Sequence, residues 1–218
     1  MLAKPQKCSG CPLSETGKGF CPDLLVPNPE YTIYGEAPGT TEIGVGRPFE
    51  GKAGFVLKSW LMHAVPALKI AAERKRISYR NILHCLPPLK SGRPYPTGPT
   101  RESAEAHCGQ YRSPDIDAKV VILCGEVPQR WFFGTELDAE DATDKSLGRE
   151  LKGVMGRIGR VMEKNGRKYV FAPHPAFVLR QPALVTHGQR ALEIAVGQSQ
   201  EVTPDYQQWD RAMEELLA

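Results

Sequence analysis

Four short segments of the chain are apolar at both alternating positions, which is the pattern of strands that are covered on both faces. These segments are residues 31–36, 79–85, 119–125 and 168–173. Segments with apolar residues at helical spacing lie between and after them, at 51–76, 100–112, 125–134, 186–198 and 204–218. Because strands that alternate with helices are joined by right-handed crossovers, the pattern predicts a parallel sheet within a three-layer α/β/α domain.

Local sequence signals set the predicted ends of the helices. Pro66 is expected to end or kink the first helix, because proline removes a backbone donor and clashes with the preceding turn. Thr100 is a candidate N-cap before an acidic first turn, and Gly134 can stop the helix over 125–134. The five prolines of residues 86–99 predict a long ordered loop.

The composition is that of an ordinary globular protein. Hydrophobic residues make up 41% of the 218 residues and charged residues 24%, which predicts one sizeable core. No apolar run approaches the roughly 18 residues that a membrane span needs, so we expect no membrane association. The N-terminal residues lack the apolar core of a signal peptide, which predicts a protein of the cytoplasm or nucleoid.

The charge distribution permits nucleic-acid binding without requiring it. The formal net charge is +3. Basic residues gather at 69–80 and 151–168, and acidic residues at 135–144. Proteins that bind no nucleic acid also separate their charges in this way, so this signal is weak.

The loops that follow the predicted strands are the candidate functional segments, because ligands of parallel sheets bind at the carboxyl ends of the strands. The first loop, GEAPGTTE at 35–42, matches neither a phosphate-binding P-loop nor a dinucleotide fingerprint. Its carboxylates, Glu36 and Glu42, could orient water or balance a developing positive charge. The alternative is a plain turn, because acidic residues are common before helix N-termini.

The glycine-rich segment 46–54 extends this loop and contains Phe49. Glycines allow the backbone to approach a ligand closely, and a phenylalanine among them can stack on a flat ring. The alternative interpretation is a hydrophobic plug at the start of a helix.

The loop after the fourth strand, HPAFVLR at 174–180, combines a histidine with an apolar tip and a basic residue. His174 could donate a hydrogen bond to an anionic leaving group, and Arg180 could contact a phosphate. The apolar tip consists of Phe177, Val178 and Leu179. A structural histidine is the alternative.

The six cysteines are expected to be free thiols or metal ligands, because disulfides are rare in the cytoplasm. Cys8 and Cys11 form a C-x-x-C pair whose spacing suits two ligands of one metal site, and Cys85 and Cys108 are further candidates. Four thiolates can hold zinc or an iron–sulfur cluster. Cys21 is an ambiguous fifth candidate, and Cys124 has the surroundings of a core residue.

These motifs together resemble the family 4 uracil-DNA glycosylases, the iron–sulfur members of the uracil-DNA glycosylase superfamily. The likeness extends to about residue 196 and has seven ordered elements. They are C-x-x-C-x-L at 8–13, GEAPG-x-x-E at 35–42, G-x-P-F-x-G-x-A-G at 46–54, N-x-x-x-C-x-P-P at 81–88, Cys108 on a helix, LCG at 123–125 and HPA-x-x-L-R at 174–180.

The resemblance implies a fold, a cofactor and a domain organisation. The fold is α/β, with a four-stranded parallel sheet flanked by helices, and the cofactor is a structural [4Fe–4S] cluster. The implied cluster ligands are Cys8, Cys11, Cys85 and Cys108. The whole chain, 1–218, then forms one domain with an N-terminal cluster-binding segment over about 1–30 and a C-terminal helical extension over about 199–218. We expect a monomer.

The resemblance also implies the chemistry, which is hydrolysis of the N-glycosidic bond of uracil flipped out of DNA. Uracil would stack on Phe49 and be read by Asn81, with Gly35 and Ala37 beside it. His174 would stabilise the uracil anion, and Glu36 and Glu42 would position water or steady the sugar cation. The apolar tip would fill the space that the base leaves, and Arg180 would hold a phosphate.

One departure from the family pattern motivates an alternative. Family members carry PPGNR after the cluster cysteine, whereas this chain has PPLKSGR, with Lys90 at the asparagine position. A binding protein for uracil or single-stranded DNA that has lost turnover is therefore the second hypothesis, and a zinc-stabilised nucleic-acid accessory module is the third. Residues 86–99 contain no histidine, which disfavours a relative that traps uracil-DNA covalently.

Overall fold

The structure is a computed structural model of the chain. It describes residues 1–64, 70–71, 75–90, 93–94, 99–112, 116–134, 136–139, 143–144, 149–150, 157–182 and 185–197. The predicted break at Pro66, the predicted helix over 204–218 and much of the predicted loop over 86–99 lie outside the described residues.

A five-stranded sheet forms the centre of the described fold. The described residues form nine strands, of which five belong to this sheet. They are β1 (Tyr31–Gly35), β2 (Ile77–Asn81), β3 (Leu89–Lys90), β4 (Arg93–Pro94), β5 (Val120–Cys124), β6 (Thr143–Asp144), β7 (Arg149–Glu150), β8 (Val161–Lys164) and β9 (Arg167–Ala172). The central sheet has the order β2-β1-β5-β9-β8, in which the first four strands are parallel and β8 is antiparallel to β9. Two short antiparallel ladders, β3 with β4 and β6 with β7, lie outside it.

Helices cover both faces of the sheet, which confirms the three-layer arrangement. They are α1 (Thr40–Val45), α2 (Lys52–Ala64), α3 (Pro99–Gly109), α4 (Glu126–Phe133), α5 (Glu136–Ala139), α6 (Pro175–Val178) and α7 (Val185–Ala195). On one face, Trp60 of α2 and Leu192 of α7 pack in one core cluster with Ile33 of β1. On the other face, Val127 and Phe133 of α4 pack with Phe171 of β9. No helix of the described residues is long and apolar enough to cross a membrane.

The sequence located the four parallel strands, and the second of them is displaced. It was predicted over 79–85 and lies at Ile77–Asn81. Ile82 and Leu83 are buried, but they lie beyond the strand, where their amides donate to the carbonyl oxygens of Gly35 and Glu36. Ile82 and Leu83 are therefore apolar because they are buried beside the loop that follows β1, and not because they belong to the strand.

The expected four-stranded sheet has a fifth, antiparallel edge strand, β8. Asn165 and Gly166 connect it to β9, and both residues have positive φ, 52° and 70°. Two central residues in this conformation suit a type I′ turn, for which Asn-Gly is the preferred pair. The Asn-Gly pair that predicts this hairpin can be seen in the sequence.

Two helix ends differ from expectation and one agrees. Thr100 is the second residue of α3, which begins at Pro99, so Thr100 is not the N-cap. Proline is favoured in a first turn because its missing donor has no partner there. Gly134 ends α4 as predicted, with φ 52°. The GEAPGTTE loop also contains a helix that the sequence did not predict, α1, which begins after Gly39.

A pair of glycine substitutions tests how the start of α2 packs. A Cβ at Gly54 would overlap the backbone carbonyl of Phe49, whereas a Cβ at Gly44, in α1, meets no atom within 4 Å. We expect Gly54→Ala to lower the free energy of unfolding by about 1–3 kcal/mol. Gly44→Ala should raise it by roughly 0.5–1 kcal/mol, because glycine is a poor helix former. Urea unfolding measures both, and equal effects would contradict the close approach at Gly54.

Candidate active site

A cavity of about 470 Å³ opens at the carboxyl ends of β1, β2 and β9. The lining includes seven residues that the sequence nominated, which come from four separate segments of the chain. They are Glu36, Ala37, Glu42, Phe49, Asn81, His174 and Leu179. The parallel sheet therefore brings the three predicted strand-end loops to one place.

Two residues that line the cavity, Phe49 and Asn81, depend on a glycine at position 35. Gly35 pairs with Asn81 in the β1–β2 ladder. A Cβ on Gly35 would lie 2.6 Å from Asn81 Oδ1 and 2.8 Å from Phe49 Cζ. Any larger residue would displace these two side chains, so Gly35 contributes to the site by having no side chain of its own.

Phe49 lines the cavity from an uncommon backbone conformation. Its backbone has φ 57°, the left-handed region that non-glycine residues seldom adopt. Its buried ring lies 5.8 Å from the ring of Tyr79, at an interplanar angle of 51°. The ring thus packs as a plug on one side and lines the cavity on the other, so both sequence interpretations describe part of its environment.

Glu42 connects the two loops that form the cavity wall. Its carboxylate accepts the Gly39 amide through Oε2 and the Gly51 amide through Oε1, each at 2.9 Å. The first bond caps the start of α1 from the third helical residue back to the Gly39 amide, and the second fixes the residue that precedes α2. The side chain is 7% exposed. Both oxygens accept backbone donors while the residue lines the cavity, so Glu42 has a structural role, and its predicted catalytic role stays a prediction.

Glu36 has the more accessible carboxylate of the two. Its side chain is 28% exposed, and Oε1 lies 3.9 Å from a guanidinium nitrogen of Arg101. Its backbone carbonyl accepts the Leu83 amide, which fixes the chain next to Asn81. This geometry places a carboxylate at the cavity with its backbone anchored.

His174 lines the cavity, and one of its two ring nitrogens is bound to the backbone. It is the N-cap of α6, and its Nδ1 accepts the amide of Ala176 at 3.1 Å. Burial, together with the positive charge of Arg180, lowers the pKa of His174 to about 4. The ring is therefore neutral at physiological pH and carries its proton on Nε2, which makes it a hydrogen-bond donor there.

Sequence reasoning missed the contribution of Gly125 to this arrangement. Gly125 has φ 91°, and a Cβ at this position would lie 2.9 Å from His174 Cβ. The LCG motif at the end of β5 thus leaves room for His174 to lie against the sheet. A glycine directly after a buried strand was the available signal.

The predicted apolar tip at 177–179 divides into three environments. Val178 is 2% exposed and belongs to the core, so its predicted contact with DNA is corrected. Phe177 is partly buried against the same core, and the Arg180 guanidinium lies 5.8 Å from its ring. Leu179 is 47% exposed and lines the cavity. The one-turn helix α6 turns neighbouring side chains in different directions, which leaves Leu179 as the apolar residue at the mouth.

A second cavity collects the four cysteines that were nominated as ligands, Cys8, Cys11, Cys85 and Cys108. Burial and the proximity of the other thiols raise the pKa values of Cys8, Cys85 and Cys108. No three cysteine, histidine or acidic side chains among the described residues converge on a position for one metal ion. The four cysteines share the lining of this one cavity.

The two remaining cysteines do not line this cavity. Cys21 is buried, with its sulfur 3.8 Å from the Pro22 carbonyl oxygen, and Cys124 is buried in the central core. Burial raises the pKa of each to about 12, with the carboxylates of Glu42 and Asp23 adding to the effect at Cys21. Both are thiols at neutral pH, as the sequence predicted for Cys124.

Lys4 organises the loop between the cysteines. Its ammonium group donates to the carbonyl oxygens of Leu13, Ser14 and Gly17 at 2.5 to 2.7 Å. The same positive charge favours the thiolate forms of Cys8 and Cys85. The donor set therefore combines four thiols with a nearby cation, a composition that suits an anionic metal–thiolate group.

The sequence is similar to those of known proteins over most of its length. The profile of the uracil DNA glycosylase superfamily matches residues 22–195. The type-4 uracil-DNA glycosylase of Archaeoglobus fulgidus is 30% identical over 182 residues, which cover 81% of this chain and 80% of that protein. The type-4 uracil-DNA glycosylase of Pyrobaculum aerophilum is 30% identical over 200 residues, 88% of this chain and 89% of that protein. That of Thermotoga maritima is 25% identical over 184 residues, 80% and 79% respectively.

Replacing each glutamate by glutamine separates their roles. Glu42→Gln turns one carboxylate oxygen into a donor that faces a backbone amide, so we expect the free energy of unfolding to fall by about 1–3 kcal/mol. Glu36→Gln should change it by less than about 0.5 kcal/mol, because this side chain is partly exposed. Urea unfolding of both variants makes the comparison, and an unchanged Glu42→Gln protein would contradict the two bonds to Gly39 and Gly51.

Proposed function

The chain belongs to the uracil-DNA glycosylase superfamily, and we propose that it is a type-4 DNA-repair glycosylase that hydrolyses the N-glycosidic bond of uracil in DNA. The reaction leaves an abasic site. The observation that carries the proposal is the cavity in which Glu36, Phe49, Asn81 and His174 meet at the carboxyl end of the sheet. Uracil-containing DNA is the proposed partner, and the enzyme acts as a monomer.

The cavity receives the base after it has left the DNA stack. Enzymes that act on a base in DNA flip the nucleotide out and read it in a pocket. Phe49 provides a fixed aromatic face, and Asn81 provides an amide whose oxygen and nitrogen complement the edge of uracil. Both side chains lie against Gly35, where a Cβ atom would displace them.

His174 stabilises the leaving group. Cleavage of the glycosidic bond leaves negative charge on the uracil ring, and a donor that is already in place lowers the energy of that state. The Nε2–H group of neutral His174 is such a donor, because the Ala176 amide holds Nδ1 as an acceptor. The histidine needs no proton from solvent to fill this role.

Glu36 balances the positive charge on the sugar and orients the attacking water. Its carboxylate lies at the cavity beside Ala37, on a backbone fixed by the Leu83 amide. Glu42 supports the reaction through the backbone. It accepts the Gly39 and Gly51 amides and so keeps the cavity wall in place.

Leu179 and Arg180 face the DNA. Both are exposed at the end of α6, and Leu179 lines the mouth of the cavity. An apolar side chain at this position can occupy the space that the flipped base leaves, and an arginine beside it can contact a backbone phosphate.

The four cysteines of the second cavity fit a [4Fe–4S] cluster, which takes four thiolate ligands. When bound, the cluster supplies four metal–sulfur cross-links between the N-terminal segment, the end of β2 and α3. This chain's own contacts support the same connection, since the Cys21 amide donates to the His84 carbonyl and Lys18 pairs with Leu86. The chain then forms one domain whose N-terminal segment, about 1–30, is a cluster-binding part; the extension predicted over about 199–218 lies outside the described residues.

The direct test of the function is release of uracil from an oligonucleotide with one deoxyuridine. The wild-type protein should produce alkali-labile abasic sites, and His174→Ala should lower kcat about 10²- to 10³-fold, the usual loss of one donor to a developing anion. His187→Ala, a histidine of α7 away from the cavity lining, is the matched control. Binding of the DNA without cleavage by cluster-loaded wild-type protein would favour the non-catalytic alternative that Lys90 motivates.

The pH dependence of the reaction measures the protonation state of His174. Because its folded pKa is about 4, below the ordinary value of 6.5, the ring stays neutral from pH 8 down to about pH 5. We therefore expect no acidic limb from His174 in kcat between pH 5 and 8. A fall in single-turnover rate with an apparent pKa of about 6.5 that disappears in His174→Gln would show that the histidine titrates during the reaction.

Iron and sulfide analysis distinguishes the metal alternatives. Cys108→Ala should lose iron and acid-labile sulfide, whereas Cys21→Ala, which removes a buried thiol outside the cysteine cavity, should retain both. The visible absorption spectrum of each variant measures the cluster independently. Zinc without iron or sulfide in the anaerobically purified wild-type protein would instead support a zinc site.

A further inference from the structure

The backbone of Asn81 is held by a charged side chain on each side. Its amide donates to Asp23 Oδ1 at 3.3 Å, and its carbonyl oxygen accepts Arg112 Nη2 at 2.8 Å. The first group belongs to the peptide before the Asn81 Cα and the second to the peptide after it. Two fixed peptide planes fix φ and ψ, and with them the direction in which the side chain leaves the backbone.

The Asp23 carboxylate is itself anchored by two further groups. Oδ2 accepts Arg80 Nε and Oδ1 contacts His84 Nε2, each at 2.9 Å. Burial opposes ionisation of Asp23, but the hydrogen bonds and charges of His84 and Arg80 outweigh it and lower the pKa of the carboxyl group. The group that receives the Asn81 amide is therefore a carboxylate at neutral pH, with little freedom to move.

Arg112 is anchored in a different way. Its Nη2 is shared between the carbonyl oxygens of Asn81 and Ile82, at 2.8 Å to each. The guanidinium lies 5.6 Å from the ring of Tyr34 and 5.3 Å from the ring of Trp131. The two aromatic rings position the guanidinium so that its Nη2 donates to the backbone at the end of β2.

Both anchors, Asp23 and Arg112, are connected to the elements that form the cysteine cavity. His84, which contacts Asp23, precedes Cys85 and lines that cavity. Arg112 lies four residues after Cys108, and its amide donates to the carbonyl of Gly109, the last residue of α3. The elements that hold the four thiols therefore also hold the two peptide planes of Asn81.

We propose that Asp23 and Arg112 are positioning residues that fix the orientation of Asn81, and that uracil recognition depends through them on the integrity of the cysteine site. The inference rests on the proposed function, in which Asn81 reads the edge of uracil. It adds a physical route from the cysteine cavity to the base pocket. Asn81 acts on uracil in the ground state and the transition state alike, so its misplacement weakens binding and leaves the chemical step nearly unchanged.

A structural role alone predicts a different pattern, and Asp117 is the control that separates the two. Asp117 also binds Arg80, through Nη1 at 2.8 Å, and its Oδ2 accepts the hydroxyl of Tyr34 at 2.8 Å. Its side chain is buried in the same ionic network as that of Asp23. Within the described part of the chain its hydrogen bonds go to Tyr34 and Arg80 and none goes to Asn81 or His84, so its removal perturbs the ionic network without removing a bond to the Asn81 backbone.

The experiment compares Asp23→Asn with Asp117→Asn in the cluster-loaded protein. It measures calorimetric binding of free uracil, and KM and kcat on the deoxyuridine oligonucleotide. Asp23→Asn should raise the Kd for uracil and the KM about tenfold, the effect of one misplaced hydrogen-bonding group, with kcat within about threefold. Asp117→Asn should lower thermal stability yet keep Kd and KM within about twofold of wild type.

Two conservative variants keep the test decisive if Asp23→Asn folds poorly. Asp23→Glu retains the negative charge beside Arg80 but displaces the carboxylate, and Arg112→Lys retains the positive charge but loses the planar fork. Both should show the weakened uracil binding. The inference is overturned if these variants bind uracil as the active wild type does, or if Asp117→Asn shares their defect. A wild-type protein that neither binds nor releases uracil would overturn the proposed function itself.

Discussion

The parallel pairing of β1 with β2 is the constraint on which the site depends. It places Gly35 opposite Asn81 at the carboxyl end of the sheet. From this pair the chain enters two loops, one with Glu36 and Glu42 and the other leading to Cys85. A slip of one residue would turn the side chain of Asn81 to the opposite face of the sheet, so the register of this ladder determines whether a base pocket exists at all.

The second consequence of this ladder is that the base pocket and the cysteine cavity share a strand end. β2 carries Asn81 to one cavity, and His84 and Cys85, three and four residues later, line the other. The N-terminal segment has few core residues of its own, yet it is tied to this strand end by Leu24 with Tyr79 and by Lys18 with Leu86. A metal–thiolate group held by the four cysteines would strengthen the same connection, because binding energy at ligands from several segments is also folding energy.

The sequence revealed most of the fold because buried parallel strands have a local signature. Residues that are apolar on both faces of a strand need no knowledge of their neighbours, and the four parallel strands were found from them. The antiparallel strand β8 was missed, although its Asn-Gly turn was visible, because its burial pattern is mixed. The roles of Glu42 and Val178 could not be read locally. One depends on the Gly51 amide nine residues away, and the other on how a single helical turn lies against the core.

The structure of the protein with free uracil and abasic DNA tests the account most directly. We expect the uracil ring to lie over Phe49, with its edge on the Asn81 amide and a carbonyl oxygen within hydrogen-bonding distance of His174 Nε2. Leu179 should occupy the gap in the DNA stack. Uracil bound outside this cavity, or a His174 ring turned so that Nδ1 faces the base, would contradict the mechanism.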